Sequence, residues 1–112
     1  MTGATLSTHV LDTTHGVPAR EMGVALHGPN GPVGAGNTDA DGRCPGLARG
    51  PLASGRYRLE FDVAGYFRAR GVDLPEPPFL DVVTIDFGIA GNGHYHVPLL
   101  VSPFGYSTYR GS

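Results

Sequence analysis

The sequence predicts an all-β fold, an antiparallel β-sandwich of seven or eight short strands. Apolar and polar residues alternate along several segments, as they do on a strand with one buried face. Turn residues separate these segments, since the 18 glycines and 10 prolines lie largely between apolar stretches. A Gly and Pro content this high argues against a helical bundle. The 112 residues, 1–112, are expected to form a single domain.

The first half of the chain carries three predicted strands. They cover residues 5–11, 23–27 and 33–38. A loop is expected over residues 12–20, where Gly and Pro interrupt the pattern, and a turn over residues 39–42.

The second half begins with the clearest strand, residues 56–63, in which four apolar side chains alternate with charged ones. A short helix is predicted over residues 64–70, because Gly71 provides a stop signal. Three more strands are expected. They cover residues 80–89, 94–101 and 106–109.

Charge and composition exclude several classes of function. The formal net charge is −2, which gives no basic surface for nucleic acid. No run of like charges suits a membrane surface, and no segment approaches the roughly 20 apolar residues of a membrane span. All eight basic residues are Arg, so Schiff-base chemistry on a lysine is excluded.

The single cysteine and the start of the chain set the expected compartment. Cys44 has no partner within the chain for a disulfide and is interpreted as a bystander thiol. Residues 1–7 lack the basic and apolar regions of a signal peptide. A cytoplasmic protein is therefore expected.

Strand parity directs two histidines away from the core. In the strand over residues 94–101, Tyr95 and Val97 lie on the apolar face, so His94 and His96 lie on the other. In the first strand, Leu6 and Val10 are core residues, so His9 must point outward. If the two strands belong to one sheet, His9 and His96 project from the same outer face.

Three interpretations of these histidines stay open on pattern alone. In the first interpretation, the histidines are unrelated surface residues. In the second, His94 and His96 form a His-x-His metal site with His9 as third ligand. No carboxylate or thiol completes that ligand set convincingly. The third interpretation is a metal-free hydrolytic site with imidazole as general base, since the imidazole pKa lies near neutrality.

Arg43 and the C-terminal residues are further candidates. Arg43 follows a turn, where most arginines are solvated, and it would matter if it reached the histidines to pair with a developing oxyanion. Tyr109-Arg110-Gly111-Ser112 closes the chain just after the histidine-bearing strand, and is expected to fold back toward it. Ser112 is a poor nucleophile candidate, because no sharp turn presents its hydroxyl.

Four segments follow one another along the chain: Leu6-Ser7-Thr8-His9-Val10-Leu11-Asp12, Thr38-Asp39-Ala40-Asp41-Gly42-Arg43, His94-Tyr95-His96-Val97-Pro98-Leu99-Leu100-Val101-Ser102-Pro103 and the final Tyr109-Arg110-Gly111-Ser112. Together these segments resemble one family, the 5-hydroxyisourate hydrolases, which are transthyretin-related enzymes of urate breakdown. The resemblance covers essentially the whole chain. No single motif decides it, but four in the same order and spacing are highly specific.

The resemblance implies a transthyretin-like sandwich of two four-stranded sheets with one short α-helix. It also implies a homotetramer, a dimer of dimers, whose sites lie in the central channel between dimers. His9 and His96 would line that channel.

The site implied by the resemblance has catalytic and substrate-binding members. The catalytic residues are His9, Arg43, His96 and Ser112, and the substrate-binding residues are His9, Arg43, Tyr109 and Arg110. The implied reaction opens the lactam ring of 5-hydroxyisourate by hydrolysis, giving 2-oxo-4-hydroxy-4-carboxy-5-ureidoimidazoline. No metal and no organic cofactor are expected.

The mechanism expected from the resemblance uses one of His9 and His96 to remove a proton from the attacking water. Arg43 stabilises the oxyanion, and Ser112 holds an imidazole in the useful tautomer through its hydroxyl or the chain-end carboxylate. The alternative is a carrier like transthyretin, which binds thyroid hormones in the same channel. Two histidines and an arginine suit a small polar purine derivative better than an apolar iodinated ring.

Overall fold

Eight strands and one helix make up the part of the chain that the computed structural model describes, residues 3–111. The strands are β1 Ala4–Asp12, β2 Val17–Pro18, β3 Gly23–Gly28, β4 Gly31–Asn37, β5 Gly55–Asp62, β6 Val82–Ile89, β7 Gly93–Ser102 and β8 Gly105–Thr108. The helix, α1, spans Val63–Ala69. Each predicted strand and the predicted helix is present, with ends shifted by no more than a few residues.

The strands form two four-stranded sheets. The first sheet has the order β2-β1-β7-β8, and the second has the order β4-β3-β5-β6. This architecture, with its one short helix, confirms the predicted fold class.

The β1–β7 ladder is parallel, whereas every other ladder in these two sheets is antiparallel. Alternation of side chains carries no information about strand direction, so this departure from the antiparallel expectation could not be read from the pattern. The strand β2 is a second departure, since it lies inside the predicted loop 12–20. Its two residues pair with the end of β1.

The core lies between the sheets, where the strands β1, β3, β5, β6 and β7 bury their apolar side chains. Leu59 and Phe61 of β5 and Leu99 and Val101 of β7 belong to one core cluster, and all four are fully buried. Burying a side chain of this kind contributes roughly 1.5–3 kcal/mol relative to leaving it exposed.

Helix α1 begins one residue earlier than predicted because Asp62 caps it. The Asp62 carboxylate accepts a hydrogen bond from the Gly65 N–H at 3.1 Å. Tyr66 and Phe67 are buried, and the Tyr66 hydroxyl donates to the Asp12 carboxylate at 2.7 Å. The helix is therefore tied to the end of β1. No helix in residues 3–111 is long and apolar enough to cross a bilayer.

Candidate active site

The outer face of the first sheet carries a cluster of imidazoles and hydroxyls. In the parallel β1–β7 ladder, Thr5 lies opposite His94 and Ser7 lies opposite His96. Tyr95 and Val97, which have the opposite parity on β7, are buried in the core. The structure therefore places His9, two residues after Ser7, on the same outer face as His96.

A turn brings Arg43 to His9. The Asp39 carboxylate accepts hydrogen bonds from the N–H groups of Asp41 and Arg43, at 2.9 and 3.0 Å. The backbone of Arg43 then pairs with that of His9 as an isolated antiparallel bridge. Arg43 thus lies next to the histidine face, and its side chain is exposed there.

Gly42 allows this turn to dock on β1. Its carbonyl accepts a hydrogen bond from the Val10 N–H at 2.8 Å. Its φ is +79°, and a Cβ at this position would lie 2.4 Å from the Val10 carbonyl oxygen. Glycine is the residue that adopts this conformation at no steric cost, and the absence of a Cβ avoids the clash.

The tautomer of His9 follows from its hydrogen bond. His9 Nε2 lies 2.7 Å from the Asp41 carbonyl oxygen. A carbonyl oxygen only accepts, so Nε2 carries a proton and Nδ1 is the nitrogen left to accept one. The Asp39–Arg43 turn therefore orients both its own arginine and the neighbouring imidazole.

Two hydrogen bonds hold His96, one at its ring and one at its backbone. Ser7 Oγ lies 2.7 Å from His96 Nδ1, and among residues 3–111 no group hydrogen-bonds to Nε2, so this nitrogen can face a substrate. Near the chain end, the Gly111 N–H donates to the His96 carbonyl at 2.8 Å. The terminal segment therefore returns to the histidine strand, as the sequence suggested.

The surroundings of His96 favour its neutral form. Burial of the half-buried ring lowers its pKa below 6.5, and the nearby charges of Arg43, His9 and His94 lower the pKa further. A neutral imidazole at neutral pH can accept a proton, so His96 is suited to act as a general base.

Of the three remaining predicted site residues, the structure describes Arg110 and Tyr109. The Arg110 guanidinium stacks on the Tyr95 ring, 3.9 Å from its centroid, and donates to the His94 carbonyl at 3.3 Å. Tyr109 is 59% exposed, so its phenol is open to a ligand or a partner. Ser112 lies outside the described residues.

Ser7 and Thr5 belong to this cluster and were not among the predicted site residues, whereas His94 was considered only as a metal ligand. Strand parity placed Ser7 on the same face as His9, but the register between β1 and β7 is a tertiary feature. Thr5 Oγ1 lies 2.6 Å from His94 Nδ1, and Ser7 Oγ lies 2.8 Å from His94 Nε2. Both nitrogens of His94 are thus engaged by hydroxyls.

The hypothesis of a His-x-His metal site finds no ligand set in residues 3–111. No three or more His, Cys, Asp or Glu side chains in that range are arranged to hold a metal ion. His94 and His96 instead share the Ser7 hydroxyl. The described geometry fits a hydrogen-bonded imidazole pair.

Comparison with known proteins agrees with this fold. A family model described as the HIUase/Transthyretin family matches residues 6–111. The chain is 52% identical to a 5-hydroxyisourate hydrolase of Ralstonia nicotianae, an alignment that covers 96% of this chain and 97% of that protein.

Two solved structures extend the comparison. The 5-hydroxyisourate hydrolase of Klebsiella pneumoniae superposes with a TM-score of 0.87 at 37% identity, covering 97% of this chain and 99% of that one. Transthyretin from Sparus aurata gives a TM-score of 0.83 at 31% identity, covering 96% and 97%. The family model matches residues 6–111, and the Ralstonia nicotianae hydrolase is 52% identical over nearly the full length. The chain therefore belongs to the HIUase/Transthyretin family.

Proposed function

We propose that this protein hydrolyses 5-hydroxyisourate to 2-oxo-4-hydroxy-4-carboxy-5-ureidoimidazoline, a step of urate degradation. The observation that carries the proposal is the meeting of His9, Arg43 and His96 on one outer sheet face. Relatives at about half identity over nearly the whole chain are named 5-hydroxyisourate hydrolase. The enzyme assignment is therefore favoured over the carrier.

His96 is the stronger candidate for the general base. Its Nδ1 contacts Ser7, its Nε2 has no hydrogen-bond partner within residues 3–111, and its lowered pKa keeps it neutral. His9 already donates from Nε2 to the Asp41 carbonyl, which suits it to orient the substrate or the attacking water. A positioned base of this kind contributes roughly 100- to 10,000-fold in rate.

Arg43 supplies the positive charge for the oxyanion. Water attacks the lactam carbonyl carbon as His96 takes its proton, and negative charge develops on the carbonyl oxygen. A guanidinium placed at that oxygen acts in the transition state, and one such donor is worth on the order of 3 kcal/mol. The exposed side chain of Arg43 beside His9 is free to reach a bound substrate.

The C-terminal segment completes the pocket in this proposal. Tyr109, with its exposed phenol, and Arg110 are proposed to contact the substrate, and Ser112 is proposed to assist an imidazole. Arg110 would have to leave its stack on Tyr95, or act through it, to touch a substrate. No metal or organic cofactor has a part in the proposed reaction.

We propose that the active form is a homotetramer, a dimer of dimers, with sites in a central channel. Two features support an assembly. The imidazole cluster is only partly covered within one chain, since His94 is exposed and His9 and His96 are half-buried. At the edge of that sheet, β8 carries the exposed Tyr106 and is flanked by the exposed Phe104 and Tyr109. Size-exclusion chromatography with light scattering tests the assembly.

The single domain and the cytoplasmic location expected from the sequence stay predictions.

The decisive assay mixes urate, urate oxidase and this protein, and follows the decay of the hydroxyisourate absorbance. Decay faster than without protein supports hydrolysis, and no acceleration overturns it. Thyroxine binding measured on the same preparation tests the carrier, which requires submicromolar affinity without hydrolysis. Chelator treatment tests metal independence, because a metal enzyme would lose activity.

A further inference from the structure

Four side chains on the outer face of the first sheet form a continuous hydrogen-bonded row, Thr5–His94–Ser7–His96. The successive contacts are 2.6 Å from Thr5 Oγ1 to His94 Nδ1, 2.8 Å from His94 Nε2 to Ser7 Oγ, and 2.7 Å from Ser7 Oγ to His96 Nδ1. Of these residues, only His96 takes part in the proposed hydrolysis. The other three form a polar path from His96 to the exposed end of the row.

Proton counting couples the two imidazoles. A serine hydroxyl has one proton, so Ser7 donates to one neutral ring and accepts from the other. When Ser7 donates to His94, it accepts from His96 Nδ1–H, and His96 Nε2 is bare and basic. When every bond in the row is reversed, Nε2 of His96 carries the proton. The Ser7 hydroxyl therefore links the tautomer of one ring to that of the other.

The difference in exposure between His96 and His94 sets the direction in which a proton moves along the row. His96 is half-buried, and burial, followed by the positive charge of Arg43 and of His9 and His94 when they are protonated, lowers its pKa. His94 is exposed, so a positive charge on His94 is hydrated at lower cost than one on His96. A proton accepted by His96 is thus favoured to move outward along the row.

We propose that Ser7 and His94, with Thr5, form a proton relay that carries the proton accepted by His96 to solvent and returns one when the ring opens. This proposal rests on the proposed hydrolysis. Ser7 and His94 are positioning residues, because they act through His96 and do not touch the substrate.

The first half of a turnover moves one proton from the attacking water to solvent. As the water oxygen bonds to the carbonyl carbon, a water proton passes to His96 Nε2. The proton on His96 Nδ1 passes to Ser7, the Ser7 proton passes to His94 Nε2, and the proton on His94 Nδ1 leaves through Thr5 to water.

Ring opening returns the relay to its first arrangement. When the C–N bond breaks, its electron pair goes to nitrogen, and the nitrogen takes the proton from His96 Nε2. The protons of the row then move in the opposite direction, and the row takes one proton from solvent through Thr5. The proton that stays with the new carboxylic acid is lost to water at neutral pH, so each turnover releases one proton.

Substitution of Ser7 separates the relay from packing. Ser7→Ala is expected to lower kcat at least about tenfold, part of the 100-fold or more that assisted proton transfer contributes, with little change in KM. Ser7→Thr keeps the hydroxyl and is expected to restore most of kcat. Thr84→Ala removes an exposed strand hydroxyl from the second sheet and serves as the control. Wild-type kcat in Ser7→Ala would overturn the relay.

Buffer rescue gives a readout that a structural role would not move. In His94→Ala, kcat is expected to fall and then to rise with the concentration of imidazole buffer, because the buffer replaces the missing proton acceptor. Wild type and His27→Ala, a histidine variant on the second sheet, are expected to be independent of buffer concentration. A His94→Ala variant that is folded, slow and unaffected by buffer would overturn the proposal.

A spectroscopic measurement keeps the relay distinct from the reaction itself. In ¹⁵N-histidine-labelled wild type, long-range ¹H–¹⁵N spectra at neutral pH are expected to show His96 protonated at Nδ1, and Ser7→Ala is expected to lose this preference. An inactive wild type would overturn the proposed function. An active wild type whose His96 tautomer is unchanged in Ser7→Ala would overturn the relay alone.

Discussion

The backbone of Gly111 lies directly against the imidazole of His96. The Gly111 N–H donates to the His96 carbonyl oxygen at 2.8 Å, and a Cβ at position 111 would lie 2.6 Å from His96 Cδ2. The ring proposed as general base therefore packs against the Gly111 backbone with no room for a side chain between them. A side chain at this position would push the ring away or detach the terminal segment.

Gly111→Ala is expected to impair turnover far more than stability. Displacing a catalytic group by about 1 Å can cost on the order of 100-fold in rate, so we expect a loss of kcat/KM of this order. Gly88→Ala is the matched control, because nothing lies within 4 Å of a Cβ built there. Steady-state kinetics and thermal unfolding of both variants test this, and an active Gly111→Ala variant would contradict the contact.

Gly42→Ala is expected to destabilise the protein and to remove activity. A positive φ alone costs a residue other than glycine roughly 1–2 kcal/mol, and the clash with the Val10 carbonyl adds to it. Gly91→Ala is the matched control, since Gly91 has φ +77° with open space around its Cβ position. Denaturant unfolding is expected to rank Gly42→Ala well below Gly91→Ala, and equal stabilities would refute this account of the turn.

The pH dependence of turnover is expected to follow His96. Its pKa lies below 6.5, and the base must be neutral, so kcat/KM is expected to hold through neutrality and to fall only on the acid side of pH 6.5. Arg43→Gln removes a positive neighbour and is expected to move this acid limb to higher pH, besides lowering kcat. If the acid limb of the pH–rate profile lies at the same pH in Arg43→Gln as in wild type, then Arg43 does not lower the pKa of His96.

Asp12 is expected to contribute to stability above about pH 4, the region of the unfolded carboxyl pKa. It is 1% exposed and accepts hydrogen bonds from Tyr66 and from both the backbone and the side chain of His15. Burial alone would raise the pKa of Asp12, but these hydrogen bonds outweigh it and hold the pKa below 3.8. Burial and then the bond to Asp12 raise the pKa of Tyr66 to about 12.

The sign of the effect follows from the lowered folded pKa. The contribution is present above the unfolded pKa and is lost as pH falls through the folded one. Asp12→Asn is expected to lower the free energy of unfolding at neutral pH by about 1.5–3 kcal/mol, the worth of a hydrogen bond to a charged group. Asp73→Asn, an exposed carboxylate, is the control. Equal denaturation midpoints for the two variants would contradict this role.

The sequence predicted those features that depend on local periodicity. Alternation along each strand placed His9 and His96 outside the core because the parity of a side chain is set by its own strand. The same parity placed Ser7 outside but could not show its partner. The contact between Ser7 and His96 requires β1 and β7 to pair in parallel, across 89 residues of sequence.

The positions of Arg43 and Arg110 show the same limit. A turn was expected before Arg43, but its docking on β1 depends on the fit of Gly42 against the Val10 carbonyl. Arg110 was predicted to bind substrate on the basis of family resemblance, and its stack on Tyr95 depends on the path of the terminal segment. Tertiary packing decided both, and no local pattern encodes it.

The most direct test of the account is the kcat/KM of His96→Ala for enzymatically generated 5-hydroxyisourate, compared with His27→Ala as a histidine control on the other sheet. The loss of a positioned general base predicts a fall of at least about 100-fold for His96→Ala, with His27→Ala near wild type. A folded His96→Ala variant with wild-type kcat/KM would contradict the central claim that this imidazole face carries the reaction.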